Sequence, residues 1–474
     1  MNLPIRRASE GKGERAGQPA GAAVDAHDII DTHRLSLFQL IVVVLCVGVL
    51  VLDGFDSGMI AYIAPALAAE LHLVPAQMGP LFASGIAGLT VGAFVFVAIA
   101  DRIGRKPVLL ATVAVFGGFS LASAVFHDFH TLVVLRFLVG LGLGGAGPVA
   151  MALIAEICPR RNRSTLLACL GCGVPVGGIV AGYAASLLIP AHGWASMLVV
   201  GGILPALLLV ALAVKVPDSV SFLVHKPHGQ DTLRRIMRKI APELSVDTTT
   251  FTAHRHKAEH ASFVELFGRD LAKSTLLLWC ASFCMLIVVS FVTNWLPILM
   301  KAEHHPMHET TLLLSLYLLG SPIGSLLIGT LMDRFNRPLC LLVAALVAAA
   351  GMAIIGTAAP QPLIGAVTLF IEGAACGACV SGTSILASFL YPTRVRATGI
   401  GWSSGCGRLG SLFGSMSGSM LLALGLSLPG LLKAAAIPCL VACAAFLGLL
   451  VVARGVSRRD GAPAGLTPEV CRPD

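Results

Sequence analysis

The chain has 474 residues, of which 56% are apolar and only 12% charged, with a mean hydropathy of +0.85. Soluble domains carry roughly 25% charged residues, so the composition excludes an ordinary soluble domain and predicts an all-α protein that crosses a membrane many times. The formal net charge of +8 is no sign of nucleic acid, because the excess sits in loops that would face anionic lipid.

Residues 1–35 are polar and hold five Lys or Arg, with no apolar core before a small-residue cleavage site, so a cytoplasmic tail without a signal peptide is expected. A first block, residues 36–215, contains apolar runs at Leu40–Ile63, Met78–Ala100, Val108–Phe126, Leu132–Ile157, Leu166–Ile189 and Trp194–Val214. Residues 216–273 are polar and basic and read as a cytoplasmic linker. Within the linker, Leu233, Ile236, Met237 and Ile240 fall at amphipathic spacing among Arg234, Arg235, Arg238 and Lys239, predicting a short helix on the membrane surface or in solvent. A second block, residues 274–453, repeats the count at Thr275–Leu299, Leu312–Met332, Leu339–Ala358, Leu363–Leu390, Thr398–Leu424 and Leu431–Val452, and residues 454–474 form a second tail. Twelve transmembrane helices in two six-helix bundles are predicted. Of the 33 Lys and Arg, 29 fall in alternate loops and tails and only Lys301 in the opposite loops, which places both termini in the cytoplasm.

Two acids in the first span are the sharpest signal. Asp53 and Asp56 lie in a stretch, Leu40–Leu67, that holds no Lys or Arg. A carboxylate at mid-membrane depth costs roughly 2.5 to 3.5 kcal/mol on insertion scales, so such residues face a bundle interior and mark an ion or substrate path. Three residues apart, the pair projects from nearly one side of a helix, where burial and mutual repulsion favour holding a proton. The competing reading is a pair merely hydrogen-bonded inside the bundle. The 13 Cys lie mostly in apolar runs, and spacings such as Cys169/Cys172, Cys280/Cys284 and Cys376/Cys379 read as helix packing, not as metal or disulfide motifs.

The two blocks repeat each other. Asp101-Arg102 with Arg105-Lys106-Pro107 after span two answers Asp333-Arg334 with Arg337-Pro338 after span eight, at an offset of 232. Pro159-x-Arg161-x-Arg163-x-Thr165 answers Pro392-x-Arg394-x-Arg396-x-Thr398 at an offset of 233. Parallel six-helix repeats place a substrate site between the halves near the midplane and permit alternating access.

These residues carry a resemblance. Asp53-Gly54-Phe55-Asp56 with Ile63-Ala64-Pro65, Asp101-Arg102-Ile103-Gly104-Arg105-Lys106, and Arg136-Phe137-Leu138-x-Gly140-x-Gly142-x-Gly144-Gly145 are its first elements. Glu156-x-x-Pro159-x-Arg161-x-Arg163, Trp295-Leu296-Pro297, Tyr391-Pro392-x-Arg394-x-Arg396 and Gly407-Arg408-x-Gly410-Ser411 follow. From about Asp53 to Val452 the chain resembles the major facilitator superfamily, specifically its aromatic acid:proton symporter group of the 4-hydroxybenzoate and protocatechuate type. Two departures stand out. Val97 occupies the position where the loop motif has Gly, although the second copy keeps Gly329, and Gly173-Val174-Pro175-Val176-Gly177-Gly178 comes near an exporter signature with the wrong spacing, so it reads as helix packing.

The resemblance implies the major facilitator fold and proton-driven uptake of a small aromatic carboxylate across a bacterial inner membrane. The expected partners are that acid, protons and the lipid bilayer, with no nucleic acid, no cofactor and a monomeric state. An anion needs a cation, and Arg408, near mid-depth in span eleven, is the first choice to hold it through a bidentate pair. Arg136 is expected to guide or bind the anion near the entrance, or to pair with an Asp of span one. Asp53 and Asp56 take the proton-coupling role. Glu372 in span ten is expected to join the relay or to pair with Arg408 in the empty site. Asp101, Arg102, Gly104, Arg105, Glu156, Asp333, Arg334, Arg394 and Arg396, at the cytoplasmic ends of spans, are expected to hold a gate by ion pairs with helix termini while also setting topology. Gly140, Gly142, Gly144 and Gly145 predict close helix packing, with no phosphate loop because no Gly-Lys-Ser/Thr follows. Two alternatives remain at this stage: a proton antiporter exporting a drug or metabolite, and a non-transporting aromatic-acid receptor. An enzyme is not supported, since no nucleophile–base constellation or cofactor fingerprint is present.

Overall fold

Lipid offers backbone amides no hydrogen-bond partner, so an apolar run must close its bonds within itself as a helix. The computed structural model describes residues 23–224, 229–241, 250–252, 263–268, 271–355, 362–392, 394–426 and 428–459. A strand β1 (Ala23–Asp25) and a short helix α1 (Ala26–Thr32) precede the first block. That block consists of α2 (Leu37–Glu70), α3 (Pro75–Ile103), α4 (Arg105–Ser123), α5 (Phe129–Ile157), a fifth span in two pieces, α6 (Arg160–Gly171) and α7 (Gly173–His192), and α8 (Ala195–Lys215). The connection carries α9 (Val220–Leu223), α10 (Gly229–Ile240), strand β2 (Thr250–Thr252) and a 3-10 turn at Phe263–Phe267. The second block runs α11 (Ala272–Ala302), α12 (Met307–Arg334), α13 (Arg337–Ile355), α14 (Pro362–Leu390), α15 (Arg396–Ala423), α16 (Leu428–Ala434) and α17 (Ala436–Arg459).

Eleven spans are long and apolar enough to cross a bilayer by composition alone; α15 is the exception. It is rich in Gly and Ser because it packs backbone to backbone. A Cβ at Gly410 or Gly414 would strike the carbonyl oxygens of Phe283 or Ile287 on α11, and at Gly418 the ring of Trp295.

Glycines make the repeat visible as packing. In the first half, a Cβ at Gly88 or Gly92 of α3 would meet the carbonyls of Phe137 or Leu141 on α5, and one at Gly140 or Gly144 would meet those of Gly85 or Leu89 on α3. In the second half the same offsets bring Gly320 and Gly324 of α12 against Phe370 and Ala374 of α14, and Gly373 and Gly377 of α14 against Tyr317 and Ser321 of α12. Gly142 packs likewise on α4, and Gly145 against Phe96. Gly177 of α7 sits on the Val51 carbonyl of α2, so the exporter-like run does serve packing. Neither loop-motif position four residues before its Asp makes a close helix contact: Val97 is 37% exposed, and a Cβ at Gly329 would meet only open space.

Three apolar cores follow. One runs continuously through both halves, from Phe55, Tyr62 and Phe82 at the end of the first half away from the basic loops to Trp295, Leu314 and Tyr317, and on to Leu341 and Tyr391 at the basic-loop end of the second half. A second, at the basic-loop end, is built from the first half alone, around Val49, Phe116, Leu143, Ile154 and Leu212. The third is outside the spans: Ile29 and Ile30 of α1 pack with Leu233, Ile236, Met237 and Ile240 of α10 and with Phe251. Beside it β1 pairs in parallel with β2, Ala23 opposite Thr250. The amphipathic linker helix is therefore present, but its apolar face is covered by the N-terminal segment, not laid on lipid. This small unit is tied to the first half by Asp31, which pairs with Arg160 at 3.0 Å, and by Arg161, which donates to the His33 carbonyl at 3.0 Å.

Candidate functional site

The 34-residue helix α2 begins with a capping box in which the Ser36 and Gln39 side chains each accept the other's backbone N–H. Gln39 also donates to the Ile157 carbonyl at 2.6 Å, fixing the rotation of α2 against the end of α5. That rotation turns Asp56 into the bundle. Its Oδ2 accepts from Arg136 Nη1 on α5 at 3.2 Å and its Oδ1 from the Ser120 hydroxyl on α4 at 3.3 Å. Acid and guanidinium are both about 5% exposed, so this is a fully desolvated ion pair. One turn earlier, Asp53 is only partly covered and accepts from the Ser57 hydroxyl at 3.4 Å. Arg408 is the cation within its electrostatic reach. The half-buried Arg408 lies twelve residues into α15, about 18 Å along the axis. It crosses to the first half by donating to the Leu89 carbonyl on α3 at 3.3 Å. The structure thus separates two acids that the sequence presents as a pair: Asp56 is matched and sealed, while Asp53 is partly exposed and forms no ion pair among the described residues.

Beside Asp53 a cavity of about 250 Å³ opens between the halves. Its first-half wall is Gly54, Ser57 and Gly58 of α2 with Val174, Pro175 and Gly178 of α7. The opposite wall comes from α11, α12 and α14: Leu286 and Val289 are apolar, while Thr293, Ser321, Ser325 and Ser381 carry hydroxyls. The space is closed on the side away from the basic loops. There Phe82 of α3 meets Trp295 of α11 edge to face at 5.8 Å, Thr311 of α12 donates to the Gly182 carbonyl of α7 at 3.4 Å, and Gly79 abuts Ser419. Trp295 is held by its indole N–H on the Ser415 carbonyl at 2.8 Å, with Asn294 donating to the Ser415 hydroxyl at 3.0 Å.

Glu372 does not pair with Arg408 among the described residues. It is fully buried inside the second half, accepts from the Cys376 thiol at 3.4 Å and lies where a Cβ on Gly351 of α13 would strike its Oε2. It does not line the cavity. On α14 it lies one turn from Cys376, which lines the cavity, with its carboxylate against Gly351 of α13. Arg136 resolves toward its ion-pair alternative and is absent from the cavity wall. Ser57, Ser120, Tyr317 and the wall serines were not singled out from the sequence. A signal existed for part of this set, since Tyr317, Ser321 and Ser325 recur every four residues on one face of α12.

Comparison with known proteins decides the family. A family model of the Major Facilitator Superfamily matches residues 46–307 and 278–472. The chain belongs to the major facilitator superfamily. Within the superfamily it is 36% identical over 439 residues to the 4-hydroxybenzoate transporter PcaK of Pseudomonas putida, covering 92% of this chain and 97% of that protein. It is 34% identical over 455 residues to a gallate transporter of Pseudomonas putida, covering 95% and 99%. A benzoate transport protein of Acinetobacter baylyi is 29% identical over 85% of this chain and 87% of its own. Among solved structures, the xylose transporter XylE from E. coli in an inward open conformation superposes with a TM-score of 0.70 at 19% identity, over 87% of this chain and 95% of that one. A bacterial homologue of the human lysosomal transporter Spinster gives 0.65 at 16% identity, over 89% and 96%. The family and these relatives are transporters, not enzymes, and the chain is a multi-pass membrane protein of that type with the twelve-helix superfamily architecture.

The superfamily loop motifs lie at the basic-loop end. Gly104, between α3 and α4, has φ 99°, and a Cβ there would meet the Phe222 ring at 2.9 Å, so glycine is required twice over. Arg105 pairs with Glu156 at 2.8 Å and also reaches the Ala152 carbonyl, while Glu156 accepts from the Ser219 hydroxyl. At the repeat-related positions of the second half, Arg337 lies over the Phe389 ring at 3.6 Å, a cation–π contact in place of the ion pair. Arg394 pairs with Glu265 of the connection at 3.1 Å, and Arg396 donates to the Tyr391 carbonyl at 3.4 Å. Asp101, Arg102, Asp333 and Arg334 are exposed and form no ion pair among the described residues. Among the described residues, the Arg105–Glu156, Arg160–Asp31 and Arg394–Glu265 pairs at this end each tie a half to itself or to its own flanking segment, and none of them joins the two halves.

Proposed function

We propose that the chain is a proton-coupled secondary transporter that imports a hydroxylated benzoate across a bacterial inner membrane by alternating access, with its termini and basic loops in the cytoplasm. The observation that carries the reading is the unequal acid pair: Asp56 is sealed against Arg136, whereas Asp53 is partly exposed, forms no ion pair among the described residues and is bonded to Ser57 of the cavity wall. The similarity to transporters named for 4-hydroxybenzoate, gallate and benzoate supports the substrate class.

In this mechanism Arg408 binds the carboxylate. Asp53 competes with the substrate for the same cation, and protonating Asp53 releases Arg408 to the incoming anion. Proton and substrate binding are then linked by a coupling free energy, and each raises the affinity for the other. Asp56 and Arg136 hold α2, α4 and α5 in register around that site and keep a compensating charge within the bundle. With the basic loops inside, the closed far end makes this a state sealed to the outside, from which cargo leaves to the cytoplasm. Cells expressing the chain should accumulate radiolabelled 4-hydroxybenzoate, and a protonophore should abolish the accumulation. Accumulation that survives collapse of the gradient would eliminate coupling.

A further inference from the structure

The cavity is chemically two-sided. On the first-half side the polar group of the wall is Ser57, which donates to Asp53 behind it, and Arg408 of α15 bonds to α3 outside the wall. The α12 and α14 wall holds no cation and no ionised acid, but a cluster of hydroxyls. Ser381 donates to Ser325 at 2.8 Å, and Ser325 in turn donates to the Gly377 carbonyl at 3.0 Å, which leaves oxygen lone pairs on both serines. Ser321 is partly exposed and its hydroxyl has no bond among the described residues. Tyr317, one turn before Ser321 on α12, is 2% exposed and lines the same cavity, and its buried hydroxyl lies by the Cys376 thiol and bonds to no nitrogen or oxygen among the described residues. Buried polar groups are nearly always satisfied, so unmet capacity beside an open space points to a polar group of whatever fills it. At about 250 Å³ the cavity falls below the roughly 300–1,000 Å³ of drug-sized sites, a size for a single ring.

Resting on the transport reading above, we infer that Ser321, Ser381 and Tyr317 form a specificity wall that hydrogen-bonds the ring hydroxyls of the substrate while its carboxylate is held by Arg408. The ring between them lies against Leu286, Val289 and Pro175. A phenolic O–H both donates and accepts, so it matches serine lone pairs and a tyrosine hydroxyl equally well. Unsubstituted benzoate fills the same space and leaves the wall unpaired, which penalises it relative to a hydroxylated ring. Because Val174 and Pro175 of α7 belong to the first half and the hydroxyl wall to the second, a ring in the cavity contacts both halves at once.

The test measures initial uptake of labelled 4-hydroxybenzoate and of labelled benzoate by the full chain in cells lacking other transporters for them. Wild type should prefer 4-hydroxybenzoate. The Ser321→Ala/Ser381→Ala variant, and separately Tyr317→Phe, should raise KM for 4-hydroxybenzoate about fivefold or more, the loss of one or two neutral hydrogen bonds, with KM for benzoate unchanged. Unchanged benzoate kinetics also shows that the variants fold. Equal changes for both substrates, or no change for either, would overturn the wall while leaving the transport reading intact. Failure of wild type to take up either acid would overturn both.

Discussion

Asp56 and Arg136 show how much depends on a single buried pair. Removing one partner of such a pair leaves an uncompensated charge and costs about 3–5 kcal/mol, whereas replacing both by apolar groups is often neutral. Arg136→Met should therefore lower the thermal unfolding midpoint sharply in detergent, and Asp56→Leu/Arg136→Met should recover most of the loss without recovering transport. A single variant as stable as wild type would show that the 3.2 Å contact is energetically idle. Asp53 belongs to the other category. Partly exposed and bonded only to Ser57, it should accept Asn with little loss of stability, and Asp53→Asn should abolish accumulation while sparing downhill exchange. The sequence reveals both acids because a charge in an apolar run is costly wherever it points. It does not reveal which acid is sealed, because that depends on α4 and α5 supplying Ser120 and Arg136 from 64 and 80 residues away. Glu372 poses the same problem: its depth is legible in the sequence, but its neighbours Cys376 and Gly351 are not.

The helices report their packing through glycine. Gly144 has the Leu89 carbonyl where a Cβ would go, while Gly118, also in a span, faces open space. Gly144→Ala should force α3 and α5 apart and reduce the folded, monodisperse yield. Gly118→Ala should be neutral or stabilising by up to about 1 kcal/mol, since glycine inside a helix is unfavourable relative to alanine. Matched behaviour of the two variants, read by size-exclusion chromatography, would refute the close approach. The glycine stripe of span four and the repeat offsets are readable as sequence, and the superposed pattern of α3 with α5 and α12 with α14 follows from them. The pairing of β1 with β2 is not, because each strand is three residues long and its partner lies beyond the whole first block. Span eleven illustrates the reverse case: its Gly and Ser dilute the hydropathy that marks a crossing, yet they are what lets α15 lie on α11.

At the scale of the molecule, a symmetric scaffold carries asymmetric chemistry. The positions related to Asp53, Asp56 and Arg136 by the repeat are Met285, Val288 and Leu369, so this acid–guanidinium cluster lies in the first half, while Arg408 and the hydroxyl wall belong to the second. Such a division lets rocking of one half on the other change the approach of Asp53 to Arg408. A disulfide between Gly79→Cys and Ser419→Cys, across the contact that seals the far end, should form readily and stop transport, with activity returning on reduction. Full activity of the cross-linked protein would mean that this seal never opens. The central claim is that α2 binds a proton when cargo loads, and substrate-driven proton movement tests it most directly. Purified protein in liposomes holding a pH-sensitive dye should acidify the lumen when 4-hydroxybenzoate is added outside. The Asp53→Asn variant should exchange labelled substrate across the membrane with no acidification. Acidification of equal size in that variant would contradict the account.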